Sequence, residues 1–141
     1  MSAPLDDIAS YSAWVYSLAE RHPNVTGSTL ALAPIGATLA RLEGGIECED
    51  GFHVAVWELV DFSEHRIRTY SYEVYRDGEK IGWYDPWPHP EIAELAATFP
   101  HHKHVPPDLR HRRVPAPGIG FETPNLDVVL ADVQRVNPAH G

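Results

Sequence analysis

The sequence predicts an α+β fold in a single domain spanning residues 1–141, with an antiparallel sheet of four to five strands packed by N- and C-terminal helices. Three observations predict it: helical periodicity at both ends, alternating apolar residues in the middle, and the pair Asp77-Gly78, which is typical of a two-residue hairpin turn. A chain of 141 residues with 43% hydrophobic and 10% aromatic residues can form a real hydrophobic core.

The two terminal helices are predicted from their periodicity and from the residues at their ends. Apolar residues recur at helical spacing over residues 5–21, and the pattern stops at His22. Near the C-terminus, Thr123 suits an N-cap and Pro124 suits the first turn, so a helix is expected over residues 123–137. The apolar side chains of both segments are best explained as core faces.

The antiparallel sheet is predicted within residues 25–85. Its clearest strand is the segment 52–62, which alternates strictly and has an apolar face that only Glu58 interrupts. Residues 66–76 form the next strand, and residues 80–84 return after the Asp-Gly turn. These pairings describe a meander of four or five strands.

The region after the sheet has a different composition. A short helix is expected over residues 90–97, because Pro90 suits a first helical position. Residues 99–120 are rich in histidine, arginine and proline, and we expect an irregular loop that its prolines stiffen.

The charge of the chain is unevenly distributed. The net charge of −9 would argue against a nucleic acid partner, but residues 99–114 carry four cations and one acid, a local charge of +3. This window also contains four of the nine histidines. A basic island on an acidic body can concentrate an anion at one place. The alternative is that these cations pair with the protein's own acids.

Cysteine content and hydropathy restrict the class of protein. The single cysteine, Cys48, excludes an internal disulfide and a cysteine-based zinc site within one chain, and it fits a reducing cytoplasm. The sequence has no apolar run close to the ~20 residues that a membrane span needs, so we expect no membrane association.

The segment Phe99-Pro100-His101-His102-Lys103-His104 is the strongest candidate for a reactive site. Metal-independent RNA cleavage needs a base for the 2′-hydroxyl, an acid for the leaving oxygen and cations for the phosphate. In an extended segment His102 and His104 share one face, while His101 and Lys103 point away. We therefore predict His102 and His104 as the base and acid, and Lys103 as a phosphate ligand.

Other residues are assigned supporting roles in this scheme. Asp85 could orient a histidine, and His89 lies close to it in the sequence. Tyr70 and Tyr72 could stack a base or donate a proton, although a place in the core or half-buried in the sheet explains both better. The candidates for flanking phosphates are the arginines of the basic window, Arg110, Arg112 and Arg113.

Two other functions fit the same residues. Asp85, His89, His102 and His104 could bind a divalent metal in a metal-dependent hydrolase, and without that metal no cofactor is expected. Alternatively, the basic loop docks an acidic protein partner in a module without enzymatic activity. A histidine-rich surface loop with no chemistry is the simplest explanation of all.

The order of these motifs resembles the TumE-type toxins of prokaryotic toxin–antitoxin pairs over roughly residues 5–136. The resemblance implies a short cytoplasmic protein that inhibits growth by acting on RNA or on translation, with an antitoxin as its protein partner. Two departures are Pro90, where a second histidine is expected, and a long, arginine-rich stretch from Pro106 to Phe121. The motifs are Phe62-Ser63-Glu64, Tyr70-Ser71-Tyr72, Trp83-Tyr84-Asp85 with Pro88-His89, the histidine segment, and the helix Leu126-Asp127-Val128-Val129-Leu130.

Overall fold

A computed structural model of the chain describes residues 3–137 and shows that they form an antiparallel sheet of eight strands. The strands are β1 Val25–Ser28, β2 Ala31–Ile35, β3 Leu39–Cys48, β4 Phe52–Asp61, β5 Arg66–Arg76, β6 Glu79–Asp85, β7 His102–His104 and β8 Arg113–Pro115. Their order in the sheet is β1-β3-β4-β5-β6-β7-β8, and β2 pairs with β3 beside β1.

The helices within the described residues are short. They are α1 Ile8–Val15, α2 Leu18–Arg21 and α3 Leu126–Val136. Three segments of 3₁₀ helix accompany them, at Pro4–Asp6, Glu49–Gly51 and Ala93–Thr98.

The predicted fold class was wrong, because the structure is a mostly antiparallel sheet of eight strands with few helices. The continuous helix expected over residues 5–21 is interrupted between Val15 and Leu18, which leaves two short helices. The loop expected over 99–120 contains β7 and β8, which have three residues each. A strand of three residues is too short to show alternation, and the prolines around it point to a loop.

One face of the sheet carries the core. The even-numbered side chains of β4 from Phe52 to Val60 are buried, and so are Tyr70, Tyr72 and Val74 of β5. The helices contribute to the same cluster through buried residues of α1, α2 and α3: Tyr11, Val15, Leu18, Leu126, Val129, Leu130 and Val133. The other face of the sheet is therefore available for a site.

Glu58 is a fully buried carboxyl group within this core. Its side chain is 0% exposed and accepts hydrogen bonds from the hydroxyl groups of Tyr11 and Tyr72. Asn125, just before α3, donates a hydrogen bond of 3.1 Å to the Tyr72 hydroxyl. Burial raises the pKa of Glu58 to about 7, and the two tyrosine hydrogen bonds offset part of that rise. The polar break seen in the sequence of β4 thus links α1, β4, β5 and the start of α3.

The raised pKa of Glu58 predicts how stability depends on pH. The folded protein holds this proton more tightly than the unfolded chain, whose glutamate has an ordinary value of 4.5. The free energy of unfolding should therefore fall as pH rises from about 5 through 7, by about 3 kcal/mol from this group. Glu58→Gln should remove this part of the pH dependence, as measured by urea unfolding at pH 5 and pH 8.

The matched control is Glu20→Gln, at an exposed position of α2. It should follow the wild-type profile, because an exposed carboxyl group loses little hydration on folding. Parallel pH profiles for the wild type and Glu58→Gln would show that Glu58 does not contribute this effect.

Candidate active site

The candidate site lies where β6 pairs with β7. Trp83 stands opposite His104 and Asp85 opposite His102 in an antiparallel register. Residues that pair directly across two strands project from the same face, and so do residues two apart in one strand. The pairing therefore brings these four side chains together on the face of the sheet opposite the core.

Asp85, His102 and His104 converge at their polar tips. The Nε2 atoms of the two histidines are 3.1 Å apart. His102 Nε2 lies 3.2 Å from Asp85 Oδ1, and His104 Nε2 lies 3.2 Å from Asp85 Oδ2. The two histidines are buried, with 1% and 3% of their surface exposed. The three side chains form a compact triad, which we call the Asp85 triad.

Backbone groups fix the far side of each ring. His102 Nδ1 lies 3.2 Å from the carbonyl oxygen of Pro100, and His104 Nδ1 lies 2.5 Å from that of Leu109. A carbonyl oxygen only accepts hydrogen bonds, so in both rings Nδ1 carries the hydrogen. The indole of Trp83 stacks on the His104 ring with centroids 4.0 Å apart. The orientation of both rings is thus set before any ligand binds.

Asp85 is held in its charged form. Burial alone would raise the pKa of this carboxyl group, but its contacts with His102 and His104 and the hydrogen bond from the backbone N–H of Trp87 together lower the pKa below its usual range. The Trp87 N–H donates to Asp85 Oδ1 over 2.8 Å. A negative charge therefore lies next to the two Nε2 atoms.

An open cleft of about 690 Å³ exposes part of the triad. Asp85 and His104 line it, and so do His89 and Arg113. The ring of His89 lies 5.1 Å from that of His102, and its Nδ1 is 3.2 Å from a carboxylate oxygen of Glu91. The Nε atom of Arg113 is buried and has no hydrogen-bond partner within residues 3–137. The cleft therefore combines the triad with an unused cationic donor.

Two residues predicted to be catalytic lie on the opposite face. Lys103 pairs with Tyr84, and its Nζ lies 5.2 Å from the centre of that ring, away from the triad. Burial and the nearby charge of Arg135 lower the pKa of Lys103. Tyr72 is fully buried and bonded to Glu58, so the geometry favours a structural role for it. The alternation that brings the histidines together places both residues on the core side.

Tyr70 and His101 form a separate pair beside the cleft. The Tyr70 hydroxyl lies 2.6 Å from His101 Nδ1, and His101 also packs edge-on against Phe121 with centroids 4.5 Å apart. Tyr70 and Phe121 line the cleft. Burial and the charge of Asp85 raise the pKa of Tyr70, while burial and His102 lower the pKa of His101. Both side chains therefore favour their neutral forms next to the triad.

The three predicted phosphate ligands are separated by the structure. Arg113 belongs to β8, stands opposite His104 and lines the cleft. Arg110 and Arg112 are exposed in the segment between β7 and β8 and do not line it. The basic window is thus divided between the cleft and the outer surface.

Trp83, Trp87 and Arg68 are among the cleft residues that sequence reasoning missed. Trp87 is 71% exposed, which is unusual for so large an apolar side chain. Arg68 pairs with Asp61, its Nη2 lying 2.7 Å from Oδ2. Trp83 could have been found from the sequence, because it precedes Asp85 by two positions in the same strand and must share its face. Nothing in the sequence pattern indicated Arg68.

Comparison with known proteins gives one match, to a protein family. No curated protein and no solved structure matches the chain. Within the described residues, no helix is long and apolar enough to cross a membrane. Residues 15–137 match the family described as Toxin TumE. Because this match covers most of the sequence, the chain belongs to the TumE toxin family, which indicates the toxin component of a toxin–antitoxin pair and an antitoxin as its partner.

Proposed function

We propose that this toxin cleaves RNA phosphodiester bonds in the cleft, with the Asp85 triad as its reacting centre. The observation that carries the proposal is the convergence of Asp85, His102 and His104 beside the buried, unpartnered Nε of Arg113. Polar groups that converge in a concave pocket are the usual form of a catalytic site. A toxin that inhibits growth needs a cellular target, and a phosphodiester fits the charge and donors of this cleft.

Arg113 is the best candidate for holding the phosphate. Its guanidinium is planar and always charged, and its Nε–H can donate to a phosphate oxygen with a neighbouring N–H in a bidentate arrangement. Because Arg113 stands opposite His104, a phosphate bound there would lie beside the triad. The other cation that lines the cleft, Arg68, is already paired with Asp61.

Trp87 supplies a surface for the bases. Its indole is 71% exposed at the rim of the cleft, between prolines at 86 and 88 that restrict its backbone. Stacking on an exposed aromatic ring tolerates any base and contributes ~1–3 kcal/mol per base in single-stranded complexes. A single-stranded segment of RNA therefore fits this cleft better than a duplex, whose bases are already stacked.

The spacing of the two histidines bears on their roles. A separate base and acid would stand on either side of the scissile phosphate, whereas the two Nε2 atoms are only 3.1 Å apart. This distance favours one joint centre that includes Asp85. Within that centre only His104 and Asp85 line the cleft, so they are the members that reach the substrate, and His102 supports them.

The exposed arginines support a second function for the loop that carries them. Arg110 and Arg112 lie outside the cleft and could contact an acidic segment of the antitoxin, as in the binding-module interpretation. Salt-sensitive binding of antitoxin, weakened in an Arg110→Ala/Arg112→Ala variant with unchanged RNA cleavage, would separate this function from the activity of the cleft.

The proposed reaction predicts the effect of removing the triad. His104→Ala and His102→Ala/His104→Ala should each lower the rate of RNA cleavage roughly 100-fold or more, because they remove a reacting group. The assay uses labelled single-stranded RNA, with and without added Zn²⁺ or Mn²⁺, so that a missing ion does not imitate inactivity. His111→Ala is the matched control, because His111 is exposed in the same region. Full cleavage by folded triad variants would exclude this centre.

A second prediction compares two neighbouring arginines. Arg113→Gln should lower kcat/KM for RNA by roughly 10- to 100-fold, the range expected when a charged hydrogen bond to the phosphate is lost. Arg112→Gln removes the same charge one residue earlier, at an exposed position, and should have a much smaller effect. An equal loss of kcat/KM in the two variants would mean that the arginines act through general electrostatic attraction of RNA and not through a phosphate site at Arg113.

A third prediction concerns Lys103. Lys103→Met should leave RNA cleavage unchanged within error, since its ammonium group lies on the core side of the sheet. Thermal unfolding should show a folded protein, because methionine can fill the same half-buried space. A strong loss of cleavage in a variant of normal stability would restore Lys103 to the mechanism.

A further inference from the structure

No hydrogen lies between the facing nitrogen and oxygen atoms of the Asp85 triad. Both histidines carry their hydrogen on Nδ1, which faces a backbone carbonyl oxygen. In the neutral rings each Nε2 is then an acceptor. The two Nε2 atoms face each other at 3.1 Å, and each faces a carboxylate oxygen at 3.2 Å. Acceptors from three side chains thus point at one place.

The burial of these atoms makes an unpartnered arrangement costly. His102 and His104 are almost fully buried, so water has little access to their Nε2 atoms. Buried polar atoms without a partner lose the hydrogen bonds that water would supply. A single divalent cation would satisfy all of these acceptors together.

The distances within the triad are those of a metal coordination sphere. Zinc binds histidine nitrogen and carboxylate oxygen at about 2.0–2.2 Å, so two ligands of one tetrahedral ion lie about 3.3 Å apart, and two adjacent ligands of an octahedral ion about 2.9 Å apart. The observed separations of 3.1 and 3.2 Å lie between these values. The three side chains are therefore already spaced as ligands of one ion.

The surroundings of the triad have the form of a catalytic metal site. Histidines that bind metals commonly donate their second N–H to a carbonyl or carboxylate, as His102 and His104 do. Three protein ligands leave at least one coordination position for water or substrate. Because Asp85 and His104 line the cleft, that position would open toward the proposed phosphate site.

We propose that Asp85, His102 and His104 bind one divalent first-row transition metal ion of the Zn²⁺ type. His89 remains outside the sphere, beside His102 and paired with Glu91. Within the described residues, Asp85, His102 and His104 are the group whose ligand atoms lie within 4.8 Å of one another. The ion would add positive charge where a phosphate oxygen binds. The catalytic role of this ion rests on the proposed RNA cleavage, whereas the binding of the ion to the three side chains does not.

Metal binding can be measured on the full chain without RNA. The protein is stripped with a chelator, dialysed, and titrated with Zn²⁺ by calorimetry and with Co²⁺ by visible absorption, whose d–d bands report the coordination geometry of the bound ion. The wild type should bind one equivalent and gain thermal stability. We expect Asp85→Asn, which keeps the size of the side chain, and His104→Ala to weaken metal binding. Each loss of affinity should exceed the roughly 10- to 100-fold that is typical when a residue that only supports a metal ligand is removed.

Two controls distinguish this site from other histidines. His111→Ala and His53→Ala remove histidines outside the triad and should leave stoichiometry and affinity unchanged. Failure of the folded wild type to bind an equivalent, or unchanged affinity in both triad variants, would overturn the metal site. RNA cleavage that persists in excess chelator would support the proposed function but show that it does not need this ion. Metal binding without RNA cleavage would support the metal site but not the proposed function.

Discussion

The pairing of β6 with β7 is the constraint on which the candidate site depends. It sets Trp83 against His104 and Asp85 against His102, and it thereby decides which side chains can meet. A shift by one residue would turn the two histidines toward the core and bring Lys103 to the cleft. The register is held from both sides, since β8 pairs with β7 and places Arg113 opposite His104.

The long strands of the sheet stabilise the short strand β7. β3, β4 and β5 form ladders of about ten residues each and contain the core, including the Glu58 hydrogen bonds that join α1 to β5. β7 has only three residues, and side-chain contacts fix the chain around it. Thr98 donates a hydrogen bond to the His101 carbonyl and accepts one from the N–H of Ala116. The reactive side chains are therefore attached to a rigid part of the fold.

The sequence was informative where its patterns were long or strictly periodic. Alternation in an extended segment predicts that His102 and His104 share a face and that Lys103 points away, and the register with β6 places them so. The number of strands could not be predicted, because β7 and β8 have three residues each, too few to distinguish a strand from a loop, and lie among prolines. The convergence of Asp85 with both histidines depends on a strand pairing between residues 17 to 21 positions apart, which local patterns do not encode.

The stacking of Trp83 on His104 also gives the site an optical signal of its own. An indole in face-to-face contact with an imidazole, 4.0 Å away, changes its emission when that imidazole binds a cation. The fluorescence of Trp83 should therefore follow the occupancy of the triad in real time. Trp87 lies at the rim of the same cleft. The fluorescence of Trp87 would therefore report the binding of a nucleic acid, and that of Trp83 would report the binding of a cation to the triad.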